Sequence, residues 1–180
     1  MNLHSILNRI TSIHQKQIDT LKTRDLHCVM KAVERLQTVN PRLYLAGSVA
    51  LMASGLLPER KIGDIDFVIN EEDFKDIELI KNIRMDTVGP YAEPKHLNEG
   101  YTSYHGVSGI YSINLLVYNK DVEITHEVLN YENKDFLIQK LDNILYWKEK
   151  YNRDKDIKDL EIINTILLEK AFFQEDSNER

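Results

Sequence analysis

Apolar residues recur along this chain with two periods, one typical of helices and one typical of strands. From Leu3 to about Leu36 they return every three or four positions, which predicts two helices or one bent helix. The same spacing over residues 135–151 and 155–172 predicts two further helices, followed by a polar tail. Helices are therefore expected at both ends of the sequence, with other structure between them.

Short apolar runs in the middle of the chain predict strands. Residues 43–46 form a buried strand that runs into Gly47-Ser48, and Ser48 is expected to cap a short helix over 49–54. Residues 64–69 alternate, so Asp64, Asp66 and Val68 should share the strand face opposite Ile65, Phe67 and Ile69. The remaining expected elements are a helix over 71–80, strands over 84–88 and 110–118, and a long polar loop over 90–109.

These elements predict an α+β fold, in which helices flank a small mixed β-sheet. We expect N-terminal helices over 1–40 that pack on a core over 41–130, and C-terminal helices over 131–180. With 180 residues, of which 42% are hydrophobic, the chain is long enough to bury one substantial core. A single compact unit with helical extensions is the expected organisation.

Composition narrows the class of protein. The formal net charge of −6 argues against a broad, non-specific nucleic-acid surface. Cys28 is the single cysteine, which excludes an internal disulfide and a zinc site built from several thiolates. The N-terminal residues are too polar for a signal peptide, and the longest charge-free stretch is too short to span a bilayer. We therefore expect a cytoplasmic protein that has no membrane contact.

The pattern that indicates chemistry is a strand ending in Gly47-Ser48, a short helix, and a strand beginning with Asp64 and Asp66. Glycine lets the backbone approach phosphate oxygens, and the start of the following helix offers unpaired N–H groups. Two carboxylates on one strand face are suited to Mg²⁺ or Mn²⁺. Alone, each motif is more often a plain turn or a solvated strand end, but two acids at the start of a buried strand repel each other and favour a cation as partner.

A basic cluster near the C-terminus stands out in an otherwise acidic chain, and it consists of Lys148, Lys150, Arg153 and Lys155. On its own it predicts a solvated helix end with ion pairs between residues four apart. Beside a metal site, the same cations would suit a leaving pyrophosphate. Both interpretations can hold together, with a helix start that is capped by acids and directs its bases toward the site.

Two segments together carry a resemblance to a known family. Residues 44–51 (YLAGSVAL), followed by Arg60-x-x-x-Asp64-Ile65-Asp66, resemble the minimal nucleotidyltransferases of the DNA polymerase beta superfamily, which include AbiEii-type toxins and aminoglycoside and lincosamide nucleotidyltransferases. Trp147-Lys148 and Arg153-x-Lys155-Asp156-x-x-Asp159-Leu160 are similar to a later segment of these proteins. The similarity covers the chain from about Arg42 to Leu167.

The resemblance implies a nucleotidyltransferase fold and a set of roles for individual residues. It implies metal ligation by Asp64 and Asp66, with a nucleoside triphosphate as substrate. It also implies nucleotide contacts from six residues, namely Gly47, Ser48, Arg60, Lys148, Arg153 and Lys155. The expected cofactor is therefore a divalent cation that is shared between the two aspartates and the triphosphate.

Asn114 departs from the family pattern, because it occupies the position where these proteins carry a third acid that accepts the proton of the incoming hydroxyl. An amide oxygen can ligate magnesium but cannot act as a general base. Another acid could substitute, the nearest in sequence being Glu93, Glu99, Asp121 and Glu123. Otherwise the enzyme is slow or uses substrate-assisted deprotonation, or catalysis is lost and binding kept, or a register shift of one strand moves the assignment to another residue.

Two functions follow from these patterns. The first is magnesium-dependent transfer of a nucleoside monophosphate to a hydroxyl of RNA, protein or a small molecule. A macromolecular acceptor is preferred because the short chain has no second domain to enclose a small one, although a homodimer could build that pocket. The second is a catalytically attenuated protein that binds nucleotide or a partner, as in toxin–antitoxin or phage–host pairs. Asn114 favours the second function, and the intact Gly47-Ser48, Asp64 and Asp66 favour the first.

The predicted loop over 90–109 contains histidines and tyrosines that could stack on a base or gate the site, namely Tyr91, His96, Tyr101, Tyr104 and His105. Aromatic packing that simply anchors the loop is the simpler interpretation.

Overall fold

The protein is described by a computed structural model that covers residues 25–75, 84–85, 95–97 and 100–178. These residues build a mixed sheet in the order β3-β5-β6-β2-β1-β8-β7, with β4 also paired to β5. The strands are β1 Tyr44–Leu45, β2 Ile65–Asn70, β3 Arg84–Met85, β4 Lys95–Leu97, β5 Tyr101–Ser108, β6 Tyr111–Tyr118, β7 His126–Tyr131 and β8 Lys134–Gln139. The pairs β2·β6 and β1·β8 are parallel and the others are antiparallel, so the expected small mixed sheet is confirmed.

Helices precede, interrupt and follow the sheet. They are α1 Leu26–Val39, α2 Gly47–Ala53, α3 Glu71–Lys75, α4 Leu141–Tyr151 and α5 Asp154–Asn178. Asp25 caps α1, since its carboxylate accepts a hydrogen bond from the Cys28 amide at 2.7 Å. Asn152 ends α4 in the left-handed conformation (φ +48°), which turns the chain directly into α5. No helix within the described residues is long and apolar enough to cross a membrane.

The two faces of β2 contact different groups of side chains, as its alternation predicts. Ile65, Phe67 and Ile69 lie in the main core, together with apolar residues of α1 and α2. Val68 lies on the other face, where Ala46 and an aromatic group pack against it. Asp66 shares this second face, so the sheet presents it toward the side that α4 partly covers.

The expected loop over 90–109 is wrong for much of its length, because Lys95–Leu97 and Tyr101–Ser108 are strands. β5 forms a hairpin with β6 through a two-residue turn and pairs along its whole length. Tyr101 and Ser103 are buried on one face, while Tyr104 packs against Phe74 on the other. Polar side chains on one face of β5 hide the strand period, since this face lines a cavity and is not filled with apolar residues. Tyr91 lies outside the described residues.

The expected helix over 135–151 is also wrong at its start. Residues 134–139 form β8, which pairs with β7 through a turn at Glu132 and Asn133, both of which have positive φ. β8 also pairs in parallel with β1, so the sheet continues beyond residue 130 and the C-terminal helices begin at Leu141. A short apolar run such as residues 136–138 fits a strand or a helix equally well, which explains the misassignment.

The predicted ends of other helices and strands differ in part from those in the structure. The short helix starts at Gly47, so Ser48 lies in its first turn and does not cap it. α1 agrees with the second predicted N-terminal helix, and β6 agrees with the strand predicted over 110–118. The first N-terminal helix, residues 76–80 of the next helix and residues 86–88 of a strand lie outside the described residues.

Candidate active site

A cavity of about 590 Å³ lies between the second face of the sheet, the start of α2 and the turn from α4 to α5. This volume is within the range of small-molecule sites. The nine residues that the sequence predicts for metal or nucleotide contacts or for the third-acid position line it, namely Gly47, Ser48, Arg60, Asp64, Asp66, Asn114, Lys148, Arg153 and Lys155. The fold therefore brings the two motif segments into one cavity, although their individual roles stay predictions.

Gly47 lies directly against the carboxylate of Asp66. It has a φ of +63°, and a Cβ atom on it would lie 2.1 Å from Asp66 Oδ2. The amide of the preceding residue, Ala46, donates a hydrogen bond of 2.9 Å to the backbone oxygen of Asp66. Sequence reasoning assigned this glycine to phosphate approach, but in the structure it is the contact with Asp66 that excludes a side chain.

Asp64 and Asp66 both line the cavity, close enough for the charge of one to act on the other. Burial raises the pKa of Asp66, the negative charge of Asp64 raises it further, and a hydrogen bond from Asn114 partly opposes both effects. Two close carboxylates of which one is desolvated fit a hard divalent cation, which stabilises their charges and takes its other ligands from phosphates or water. Within the described part of the chain, no group of three or more His, Cys, Asp or Glu side chains gathers around a potential metal position. Among the residues that the structure describes, Asp64 and Asp66 are therefore the two carboxylates that could meet a divalent ion here.

Asn114 lies beside Asp66, because the two residues are register partners on the parallel strands β6 and β2. Its Nδ2 atom donates to Asp66 Oδ1 at 2.9 Å. Its Oδ1 atom accepts a hydrogen bond of 2.8 Å from Ser103 Oγ on β5. In this orientation the side-chain NH2 group of Asn114 donates to Asp66. The side-chain oxygen accepts from Ser103 and is therefore not directed to a metal ligand position.

Two of the four acids considered as substitutes for a third carboxylate, Asp121 and Glu123, lie away from Asn114. Asp121 and Glu123 are exposed after the end of β6, and neither lines the cavity. Tyr118, the last residue of β6, is four positions after Asn114, which is a distance of roughly 13 Å along the strand. Glu93 and Glu99 lie outside the described residues.

The cations near the cavity are held by two buried aspartates. Lys148 Nζ lies 2.7 Å from Asp159 Oδ2 and 3.2 Å from Asp156 Oδ1, and all three side chains are buried. Arg60 binds Asp159 through both of its terminal nitrogens, and Arg153 binds Asp156 through two of its nitrogens. This ionic network, composed of Arg60, Lys148, Arg153, Asp156 and Asp159, replaces the solvated ion pairs that the sequence suggested.

The ionic network extends to the start of α2. Arg60 Nη2 donates to Ser48 Oγ at 3.0 Å, which links the 60–64 segment to the residue next to Gly47. Burial raises the pKa of Asp156 and Asp159, but hydrogen bonds from Lys148 and the arginines outweigh it, so the pKa of each is lowered overall. Both aspartates are therefore ionised at neutral pH, which fixes the cations along the wall of the cavity.

Because β5 was predicted as a loop, Ser103 was missed, and Tyr101 and His105 were predicted only as loop residues that could stack on a base or gate the site. Once β5 is a strand, Tyr101, Ser103 and His105 fall on the same face and line the cavity. Aromatic rings form the far wall, where Trp147 packs edge-on against Tyr101 and stacks on Tyr151. The Tyr151 hydroxyl is buried and, among the described residues, has no hydrogen-bond partner. The alternation of residues 101, 103 and 105 was the signal that could have identified this face.

Comparison with known proteins finds solved structures with a similar fold but no match in sequence. No protein-family model matches the sequence, and no curated protein matches it. Among solved structures, ANT(2″)-Ia in complex with adenylyl-2″-tobramycin superposes with a TM-score of 0.53 at 14% identity, over 81% of this chain and 92% of that chain. At this identity the similarity concerns the fold.

Two further structures are similar at lower scores. A nucleotidyltransferase-type protein of Thermotoga maritima has a TM-score of 0.46 at 16% identity, over 77% of this chain and 94% of that one. An antigenic nucleotidyltransferase-like protein of Paracoccidioides brasiliensis has a TM-score of 0.45 at 18% identity, over 82% of this chain and 77% of that one.

Proposed function

We propose that this chain, which has the nucleotidyltransferase fold, is a magnesium-dependent enzyme that moves a nucleoside monophosphate from a triphosphate to a hydroxyl group. The observation that carries the proposal is the pair Asp64 and Asp66 in one cavity, with Asp66 desolvated against Gly47. A desolvated carboxylate beside a second one is costly unless a cation or a proton accompanies it.

The chain's own residues have distinct tasks in this proposal. Asp64 and Asp66 would hold Mg²⁺ or Mn²⁺, which supplies charge stabilisation for the triphosphate and the leaving pyrophosphate. Asp156 and Asp159 fix Lys148, Arg60 and Arg153 at the cavity wall, so little side-chain entropy is lost when these cations meet a polyanion.

Two more residues complete the anion-binding surface. The Ser48 hydroxyl accepts from Arg60 and keeps its own hydrogen to donate to a phosphate oxygen. Lys155 is exposed at the cavity, and its positive charge acts on Asp66. Within the described residues Lys155 has no ion pair, which leaves it available to a bound triphosphate.

The acceptor is a hydroxyl of RNA, protein or a small molecule. The preference for a macromolecule depended on the short length of the chain. The similarity to ANT(2″)-Ia covers 92% of that chain. That protein is nevertheless in complex with adenylyl-2″-tobramycin, a small molecule. Length therefore does not decide between the acceptor classes, and a small-molecule hydroxyl compound is equally compatible with the cavity.

A second candidate function is an attenuated protein that binds nucleotide or a partner, such as an antitoxin or a second copy of the chain. Asn114 favours it, since an amide stands beside Asp66 and donates a hydrogen bond to it. The two functions agree on nucleotide binding and differ on transfer, so binding and transfer have to be measured separately.

Nucleotide binding can be tested through the single tryptophan of the chain, Trp147, which lines the cavity. We expect its fluorescence to change saturably with a nucleoside triphosphate in the presence of magnesium. Asp66→Asn should lose the magnesium-dependent part of the affinity, because one of the two carboxylates becomes neutral. Asp121→Asn removes an exposed acid outside the cavity and serves as the matched control. An Asp66→Asn protein that binds as tightly as wild type would contradict the metal assignment.

A further inference from the structure

Three residues form a row across neighbouring strands on the cavity face of the sheet. Asp66 on β2 is the register partner of Asn114 on β6, and Asn114 is the register partner of His105 on β5. Directly paired residues place their side chains on the same face of a sheet. All three residues line the cavity, so His105 occupies the position one strand beyond the missing acid.

Few cavity side chains have the chemistry to accept a proton. Among the described residues that line the cavity, carboxylates or imidazoles are found at Asp64, Asp66, His105 and Asp156. The first two are assigned to the cation. Asp156 is buried and bound by Lys148 and Arg153, so it has no exposed lone pair to offer a substrate. Asn114 has no basic atom.

We infer that His105 is the proton acceptor for the incoming hydroxyl, one strand away from the place where a third carboxylate would stand. The inference rests on the proposed nucleotidyl transfer. A neutral imidazole has one nitrogen that can accept a proton, and histidine is the residue most often used for this task in enzymes.

The positions fit a hydroxyl between Asp66 and His105. Neighbouring strands are about 4.8 Å apart, so the backbones of these two residues are separated by roughly 10 Å. Asn114 lies between them, and its hydrogen bonds to Ser103 and Asp66 keep it close to the sheet. The space above Asn114 is where an acceptor group can meet both the nucleotide and the imidazole.

The step conserves atoms and charge. The O–H bond of the acceptor breaks and its proton forms an N–H bond with His105. The oxygen lone pair then forms a bond to the α-phosphorus, while the bond from that phosphorus to the bridging oxygen breaks and pyrophosphate leaves with the electron pair. The imidazolium returns its proton to water, which completes the cycle without a further co-reactant.

The test is His105→Gln, which keeps a polar side chain and removes the base. We expect the transfer rate at saturating triphosphate to fall about 10²- to 10⁴-fold, the usual contribution of a positioned general base. The nucleotide affinity measured through Trp147 should stay unchanged, because His105 does not hold the triphosphate. His27→Gln, on the exposed surface of α1, is the matched control and should transfer at the wild-type rate.

Rescue separates a catalytic role from a structural one. Adding Asn114→Asp to His105→Gln places a carboxylate beside Asp66 and should raise the transfer rate, as should free imidazole added to His105→Ala. A His105→Gln protein with the wild-type rate overturns the role of His105 while leaving nucleotidyl transfer intact. A loss of rate that neither rescue reverses also overturns it. Absence of transfer by folded wild-type protein overturns the proposed function itself, and the inference with it.

Discussion

Replacing Gly47 by alanine probes the contact on which the proposed site depends. Two separate costs arise from the added methyl group. The residue has a φ of +63°, and a non-glycine residue in this region costs about 1–2 kcal/mol. The new Cβ would also lie 2.1 Å from Asp66 Oδ2, so the carboxylate must move, at a cost of about 1–3 kcal/mol for an overpacked contact.

Gly55→Ala is the matched control for this experiment. Gly55 has a φ of +69°, close to that of Gly47, but a Cβ on it would meet no atom within 4 Å. Urea unfolding should therefore show a loss of about 1–2 kcal/mol for Gly55→Ala and a larger loss for Gly47→Ala. The difference between the two variants measures the steric contact with Asp66 alone.

Displacement of Asp66 should also affect ligand binding. Since a hydrogen bond or ion contact to a charged group contributes about 1.5–3 kcal/mol, we expect Gly47→Ala to bind a triphosphate with magnesium roughly 10- to 100-fold more weakly in the Trp147 fluorescence titration. Gly55→Ala should bind like wild type. Equal stability of the two variants, together with wild-type affinity in Gly47→Ala, would refute the reasoning.

The remaining predictions concern charge. In the absence of metal, Asp66→Asn should raise the melting temperature at neutral pH, because burial and Asp64 both disfavour the ionised carboxylate; an unchanged or lower value would argue against this repulsion. Asp159→Asn should lower the free energy of unfolding by on the order of 3 kcal/mol, since buried Lys148 loses a partner. Because the folded pKa of Asp159 is lowered, its contribution is complete above the ordinary pKa of 3.8 and is lost as the pH falls below that value, so Asp159→Asn should flatten the acid limb of the stability curve.

The sequence predicts the central part of the fold well, because there each strand has one apolar face. β2 combines Ile65, Phe67 and Ile69 on the core side with Asp66 on the other, and this alternation fixes the face on which the cavity lies. Gly47 after β1 and the paired Asp64 and Asp66 also predict a site on this face of the sheet. The family resemblance implied that Asn114 stands at the third-acid position, and the structure pairs Asn114 with Asp66 in the register of β2 and β6.

Other features depend on contacts between residues far apart in sequence, which no local pattern contains. β8 is a strand because it pairs with β1 and β7, although Phe136 and Ile138 also fit a helical period. The ion pair of Arg60 is a second example, since Arg60 binds Asp159, which lies 99 residues later in the sequence. His105 lies beside the site only because β5 is a strand. The face of β5 that lines the cavity is polar, so the sequence does not show the usual strand alternation.

The central claim is nucleotidyl transfer, and the position of the label tests it most directly. Wild-type protein is incubated with magnesium, with acceptor fractions containing total RNA, total protein or small hydroxyl compounds, and with a triphosphate labelled at either the α- or the γ-phosphate. We predict that the α-label becomes covalently attached to an acceptor in one fraction, that the γ-label leaves as pyrophosphate, and that Asp66→Asn abolishes both. Attachment of the γ-label, or no transfer of α-label by folded protein with any of the four triphosphates, would contradict the account.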